Sequence, residues 1–308
     1  GYDWPQLISK FTMGAMAYNQ AVDNYLDEKL GADTKPNNKP YKEGKPYTGK
    51  EHVWDEGFGY FGAAAHTLKL TADQAYGIAK RKDAAAADFN GDGVIDLKSE
   101  MVFGPAYYAA AFDRSGSKST NYLNTIMQAY MDGRMLITAA NGAILTNEQR
   151  SSLKEYASII ESNWELVLAE ATFKYAGSVY KDIVKMSEEG ADKDKIYRAY
   201  VKHWGELKGF SMALQSGRNN LGEVAAKMNE LILFGPVTLD NSYVTGLTSD
   251  GGFDRKNRMT WNDYQLNLLK VQQMMVDKFS VSSRVNDQLA DLGALAEKLS
   301  AESNAETD

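Results

Sequence analysis

Glu51-His52-Val53-Trp54-Asp55-Glu56-Gly57-Phe58-Gly59-Tyr60 is echoed downstream by Lys202-His203-Trp204-Gly205-Glu206-Leu207-Lys208-Gly209-Phe210. Both stretches read Trp-x-Glu-x-x-Gly-aromatic, at Trp54/Trp204, Glu56/Glu206, Gly59/Gly209 and Tyr60/Phe210, with an offset of 150 residues. A His precedes each Trp. Self-similarity at a fixed offset points to one structural unit used twice. Two more pairs keep the same order: Phe103-Gly104-Pro105 with Phe234-Gly235-Pro236, and Phe112-Asp113-Arg114 with Phe253-Asp254-Arg255. The pattern predicts an all-α, internally duplicated helical bundle, its two similar halves related by a pseudo-twofold axis. The first repeat is expected over 1–145 and the second over 146–300, in one compact domain. Residues 301–308 read as a frayed acidic tail.

Composition agrees with a helical globular chain. Only 6 of 308 residues are proline, and 44% are hydrophobic, enough for a sizeable core. The net charge of −7, with no basic cluster beside exposed aromatics, argues against nucleic-acid binding. The absence of cysteine excludes a disulfide scaffold and thiolate chemistry. No apolar run is long enough to span a bilayer. The chain opens on Gly1 rather than Met, which reads as a mature form whose export signal has been removed.

Helical spacing of Leu7, Phe11, Ala15, Tyr18, Val22 and Tyr25 predicts a first helix from Pro5 to Leu30. Gly31–Lys50, with three prolines and five lysines, reads as an exposed loop that could also meet an anionic partner. His52–Leu68 is the second predicted helix, and Thr71-Ala72-Asp73-Gln74 caps a third. Thr146-Asn147-Glu148-Gln149 is a capping box opening a long helix to Met186. Helices follow over Lys195–Gln215 and Leu221–Leu233, then one long helix or two in series over Thr260–Lys298. No strand pattern is evident.

Asp88-Phe89-Asn90-Gly91-Asp92-Gly93-Val94-Ile95-Asp96-Leu97-Lys98-Ser99-Glu100 is the most specific local motif. Oxygens at positions 1, 3, 5, 7 and 9 with Gly at 6 follow the calcium loop of EF-hands and dockerins. Side chains of Asp88, Asn90, Asp92 and Asp96 and the carbonyl of Val94 are the expected ligands. Position 12 is Ser99, so the closing acid is Glu100, one residue late. The ion would be structural, neutralising carboxylates that otherwise repel. About 19 extra residues separate the landmarks of the first repeat here, so the loop reads as an insertion.

On a helix, His52 lies beside Asp55 and Glu56, and His203 near Glu206. Such His–carboxylate sets are minimal metal or acid–base sites, and across a pseudo-twofold axis they could converge on one cleft with a transition metal, iron or zinc. The architectural alternative is that Glu56 and Glu206 pair with Arg114 and Arg255 around Trp54 and Trp204, with glycine admitting a neighbouring helix. His66 reads as packing.

The blocks His52–Gly62 and His203–Phe210 resemble those of an uncharacterised domain-of-unknown-function family of exported bacterial proteins, and the resemblance covers nearly the whole chain. More loosely the chain is similar to imelysin-like proteins, duplicated helical bundles tied to iron or other metal uptake at the cell envelope. Their Gly-x-His-x-x-Glu has its nearest counterpart in Gly49-Lys50-Glu51-His52-Val53-Trp54-Asp55, with one extra residue and Asp for Glu. The zinc signature His-Glu-x-x-His is absent. The resemblance implies an exported protein, periplasmic or at the cell surface and with room for a lipid anchor before processing, that binds iron or a liganded iron and meets an envelope or outer-membrane uptake partner. No catalytic residue is assigned. The alternatives are a metal-assisted hydrolase using His52, Asp55 and Glu56, or a carbohydrate or protein-partner module using Trp54, Trp204 and the lysine-rich loop.

Overall fold

The computed structural model describes residues 1–31, 34–217 and 219–305. The protein is mostly helical, as α1 Trp4–Thr12, α2 Gly49–Phe61, α3 Ala72–Ala79, α4 Ala84–Ala87, α5 Gly104–Ser115, α6 Tyr122–Ala139, α7 Asn147–Met186, α8 Lys193–Leu214, α9 Gly222–Ile232, α10 Trp261–Phe279 and α11 Leu292–Ala305. One antiparallel hairpin, β1 Ser242–Leu247 with β2 Phe253–Asn257, interrupts them. Residues 242–257 thus hold a two-stranded sheet where the sequence reading has no strand. Its cue is Tyr243 and Val244 ahead of Thr248-Ser249-Asp250-Gly251-Gly252, a turn flanked by strand-forming residues.

Several helix ends differ from the sequence reading for local reasons. The first helix is α-helical only to Thr12. It then widens into π-helical turns over Met13–Tyr18 and Gln20–Tyr25, the Leu26 amide bonding to Ala21 O at 2.8 Å. Helix α2 stops at Gly62, whose left-handed φ of +79° favours glycine, rather than running to Leu68. Of the two readings for Thr260–Lys298 the chain takes two helices in series, α10 ending at Ser280 and α11 running on to Ala305. By contrast, α7 starts where its capping box predicts, Gln149 N donating to Thr146 Oγ1 at 3.2 Å and Thr146 N to Gln149 Oε1 at 2.9 Å. The acidic tail is helical to Ala305, and 306–308 lie outside the described residues.

The chain folds as two compact units. One comprises residues 13–167 with Ser216 and Gly217; the other comprises Gly1–Thr12, Leu168–Gln215 and the chain from Asn219 onward. The division therefore falls inside α7, and α1 belongs with the C-terminal half. In the first unit Phe61 and Trp164 meet edge to face at 5.2 Å, within a core that includes Tyr18, Trp54 and Phe112. In the second unit Trp204, Phe210, Phe173, Tyr200 and Tyr264 are fully buried. There the buried carboxylate of Glu170 receives the amides of Ser282, Ser283 and Arg284 at 2.6–2.9 Å, fixing the chain after α10.

The Trp-x-Glu-x-x-Gly landmark is helical in both places, in α2 and α8, but the other two pairs take different local structure at each occurrence. Phe103-Gly104-Pro105 starts α5, whereas Phe234-Gly235-Pro236 follows the end of α9. Phe112-Asp113-Arg114 closes α5, whereas Phe253-Asp254-Arg255 lies in β2. No helix among the described residues is long and apolar enough to cross a membrane.

Candidate functional site

In the first unit, His52 projects from α2 under the proline- and lysine-rich loop. Its ring lies 3.5 Å from that of Tyr41 and 5.8 Å from that of Tyr47, and its Nε2 is 3.3 Å from Glu56 Oε1. The loop expected to be solvated is thus folded onto the helix. Buried Asn37 anchors it, donating to Ala143 O at 3.1 Å and accepting from Thr48 Oγ1 at 2.7 Å. Asp55 turns elsewhere, to Arg134 Nε at 2.8 Å, and the same guanidinium holds Glu51 at 2.8 Å. Glu56 also bonds the Tyr25 hydroxyl, and burial first, then this carboxylate, push that phenol up to about 12.

In the second unit, His203 pairs not with Glu206 but with Asp182 of α7, Nδ1 to Oδ2 at 2.5 Å, close to the ring of Tyr175. Asp182 was not singled out in the sequence. It sits one residue from the apolar row through Val179 and Ile183, and the helical period alone marks it as half-facing the core. Glu206 is buried and lies 4.0 Å from Lys10. The expected arginine partners are engaged elsewhere: Arg114 with Asp73 at 2.6 Å, and Arg255 near the Phe253 ring. Trp54 and Trp204 are buried to 1% and 0% exposure, so neither can stack on a ligand. Their indole N–H groups donate to Tyr130 O at 2.7 Å and to Ile232 O at 3.2 Å. His66 packs as expected, its Nε2 2.9 Å from Ala86 O and its ring stacked on Phe89.

Among the described residues no group of three or more His, Asp or Glu side chains is arranged to hold a metal ion. For His52, Asp55, Glu56, His203 and Glu206 the reason is plain: each is turned to a neighbour within its own unit.

The calcium-type loop is built by its own side chains. Asp88 accepts the amides of Asp92 at 3.1 Å and Gly93 at 2.9 Å, Asn90 Oδ1 accepts Asp92 N at 2.9 Å, and Asp92 Oδ1 accepts Val94 N at 2.8 Å. Gly93, at the sharp turn, has φ +80°. The amide of Lys98 and the hydroxyl of Ser99 hold the Asp96 carboxyl below the usual range. Glu100 is buried and accepts from Phe89 N, Asn90 N and Asp96 N at 2.8–3.4 Å, tying the two ends of the loop together. A carboxylate has about four lone-pair positions, and Asp88 and Asp92 each use two on bonds within the loop. The turn is thus shaped by side-chain-to-backbone bonds, and the closing acid is turned to the backbone.

A cavity of about 630 Å³ opens in the second unit. Helix α1 supplies Tyr2 (just before its start), Trp4 and Leu7; α8 supplies Lys208 and Met212; Leu233 and Phe234 follow α9, and Val244 comes from β1. Tyr2 and Trp4 stack at 4.8 Å, leaving Trp4 52% exposed at the wall. Phe234 is 45% exposed beside it. The cavity exists because α1 runs close along α8: a Cβ on Gly209 would meet Leu7 O at 2.6 Å, and one on Gly205 would meet Asp3 O at 3.1 Å. Lys208, on the next face of the same helix, donates to Leu233 O at 3.0 Å and Asn229 Oδ1 at 3.3 Å. Burial alone pulls its ammonium down to about 8. Lys208 stood inside the quoted block, but a lysine between Leu207 and Gly209 looks like a solvated position until α9 and the hairpin are in place.

The chain belongs to a family described as a domain of unknown function (DUF4856), whose model matches residues 1–232. The match includes α1 and α8 but ends before the hairpin wall of the cavity. No curated protein and no solved structure matches the chain.

Proposed function

From membership of a family whose name assigns no activity, we propose that this protein is a non-catalytic, exported, calcium-stabilised binding protein of the cell envelope that holds a small organic molecule in the cavity between α1, α8 and the hairpin. The observation that carries the reading is the cavity itself. Its volume lies in the range of small-molecule sites, and its walls join apolar and aromatic side chains to a few polar ones, among them Lys208, Gln215 and Asn229. Bare iron or zinc is not part of the proposal, because His52, Asp55, Glu56, His203 and Glu206 supply no ligand set. A hydrolase through His52, Asp55 and Glu56 loses its motive for the same reason. The test is titration with the neutral dye Nile red. Its fluorescence should rise with the native protein and fail to rise with Thr245→Trp, which plants an indole at the rim. Equal enhancement by both proteins would place the dye elsewhere and sink the reading.

Export draws support from the calcium loop. With Ser99 at position 12 and Glu100 turned to the backbone, Asp88, Asn90, Asp92, Asp96 and the Val94 carbonyl would hold the ion without a bidentate closing acid. Such a site falls in the weak class, about 10⁻⁴–10⁻³ M, which fills at the calcium levels met outside cells. Millimolar calcium should then raise the melting temperature relative to chelator, and Asp88→Ala with Asp92→Ala should remove the difference. A melting temperature indifferent to calcium in the native protein would end this part of the proposal.

A further inference from the structure

Among the described residues Lys50 is buried and Lys208 half-buried, and desolvation, as the leading cause, draws both ammonium groups down to about 8. They are not equivalent. Lys50 donates to three main-chain carbonyls, Lys29 O at 2.8 Å and Gly31 O and Thr34 O at 3.0 Å. An ammonium has three N–H donors, so Lys50 is saturated and its role is to hold the chain ahead of α2. Lys208 has two acceptors, both neutral, and among the described residues no carboxylate lies within ion-pair reach of it. Its remaining donor belongs to a side chain that lines the cavity. The nearby acid on the wall, Glu230, accepts from Lys227 Nζ through both oxygens at 2.8 Å.

A half-buried, largely desolvated cation beside an apolar space without a counter-charge is costly, and a bound anion relieves the cost. Around it the walls offer Trp4, Leu7, Met212, Phe234 and Val244, surfaces for an uncharged hydrocarbon or ring. We propose that the occupant of this cavity is a small amphipathic carboxylate, its anionic end against Lys208 Nζ and its apolar body along Trp4, Leu7, Met212 and Phe234. This rests on the cavity being a binding site, as proposed above, and adds the chemical class of what it holds.

The experiment compares three chains of equal length, octanoate, 1-octanol and octylamine, by calorimetric titration of the full-length protein, then repeats it with Lys208→Gln, chosen because it keeps a donor for Leu233 O. Octanoate should bind at least tenfold more tightly than 1-octanol, and that advantage should vanish in Lys208→Gln while 1-octanol is unaffected. The ranking in the native protein stands as a test even if the variant fails to fold. Equal binding of octanoate and 1-octanol would overturn the carboxylate assignment and leave the cavity as an apolar site. Preference for octylamine would overturn it in favour of Glu230. Failure of all three to bind, together with a negative Nile red titration, would remove the binding reading itself.

Discussion

At Trp54 and at Trp204 a buried indole donates to a main-chain carbonyl of a neighbouring helix, Tyr130 O in one case and Ile232 O in the other. Two residues on, the glutamates part ways. Glu56 is half-exposed and bonds His52 and Tyr25, whereas Glu206 is buried beside Lys10. The closing aromatics divide likewise, Tyr60 being 37% exposed and Phe210 fully buried. Residues at equal offsets from the tryptophan occupy equal positions around each helix. What differs is the neighbour. Helix α1 covers the side of α8 that carries Gly205, Glu206 and Gly209, whereas the same side of α2 bears Asp55 and Gly59 toward solvent. A shared motif therefore fixes which side chains point together, and the packing partner decides whether they meet protein or water.

The largest test of this contrast is glycine. In Gly209→Ala the added methyl would sit 2.6 Å from Leu7 O, a backbone atom that cannot yield without moving α1. A loss of about 3 kcal/mol is expected, at the upper end for overpacking. The counterpart Gly59 has nothing within 4 Å of its would-be Cβ, in a helix where φ is ordinary. Gly59→Ala should instead stabilise by about 0.5–1 kcal/mol through helix propensity. Urea unfolding of both variants decides the matter. Similar losses from both would mean that the two blocks are packed alike and that the contrast drawn here is wrong. Gly209→Ala should also disturb the cavity, because Trp4 and Leu7 are carried on the displaced helix.

The parts of this architecture that were legible in the sequence are those whose determinants lie within a few residues. The start of α7 follows from the reciprocal bonds of Thr146 and Gln149, and the turn at 88–100 from alternating Asp and Asn with Gly93. Tryptophan at 54 and 204 announced core positions. What stayed hidden depends on distant chain. Nothing near Trp4 says that it will lie along a helix some 200 residues later, so the loss of α1 to the C-terminal unit and the cavity it forms could not be read. The surroundings of His52 were hidden for a related reason. Helical spacing placed Asp55 and Glu56 next to it, but Arg134 from α6 takes Asp55 and Tyr41 from the loop lies against the His52 ring. The hairpin was missed because only Ser242–Leu247 and Phe253–Asn257 pair, with a bulge between Val244 and Gly246 that breaks the alternation.

The smaller test concerns the glutamates and alkaline pH. The Tyr25 phenol is raised from 10.0 to about 12, by burial first and then by its bond to Glu56. A phenol whose folded value lies above its unfolded value contributes stability that is complete below pH 10 and is lost as pH rises from about 10 to about 12. Tyr180, raised to about 12 by burial and then by Asp291, adds to the same window. Glu56→Gln removes the carboxylate charge while leaving the burial, so Tyr25 should ionise earlier and the alkaline loss of stability should shrink without disappearing. Glu206 lies against Lys10 instead of a phenol, and Glu206→Gln should leave this limb in place. The readout is tyrosinate absorbance followed against pH, paired with melting temperatures at the same pH values. An unchanged alkaline limb in Glu56→Gln would show that burial alone sets Tyr25, and one of the differences between the two tryptophan blocks would then have no energetic consequence.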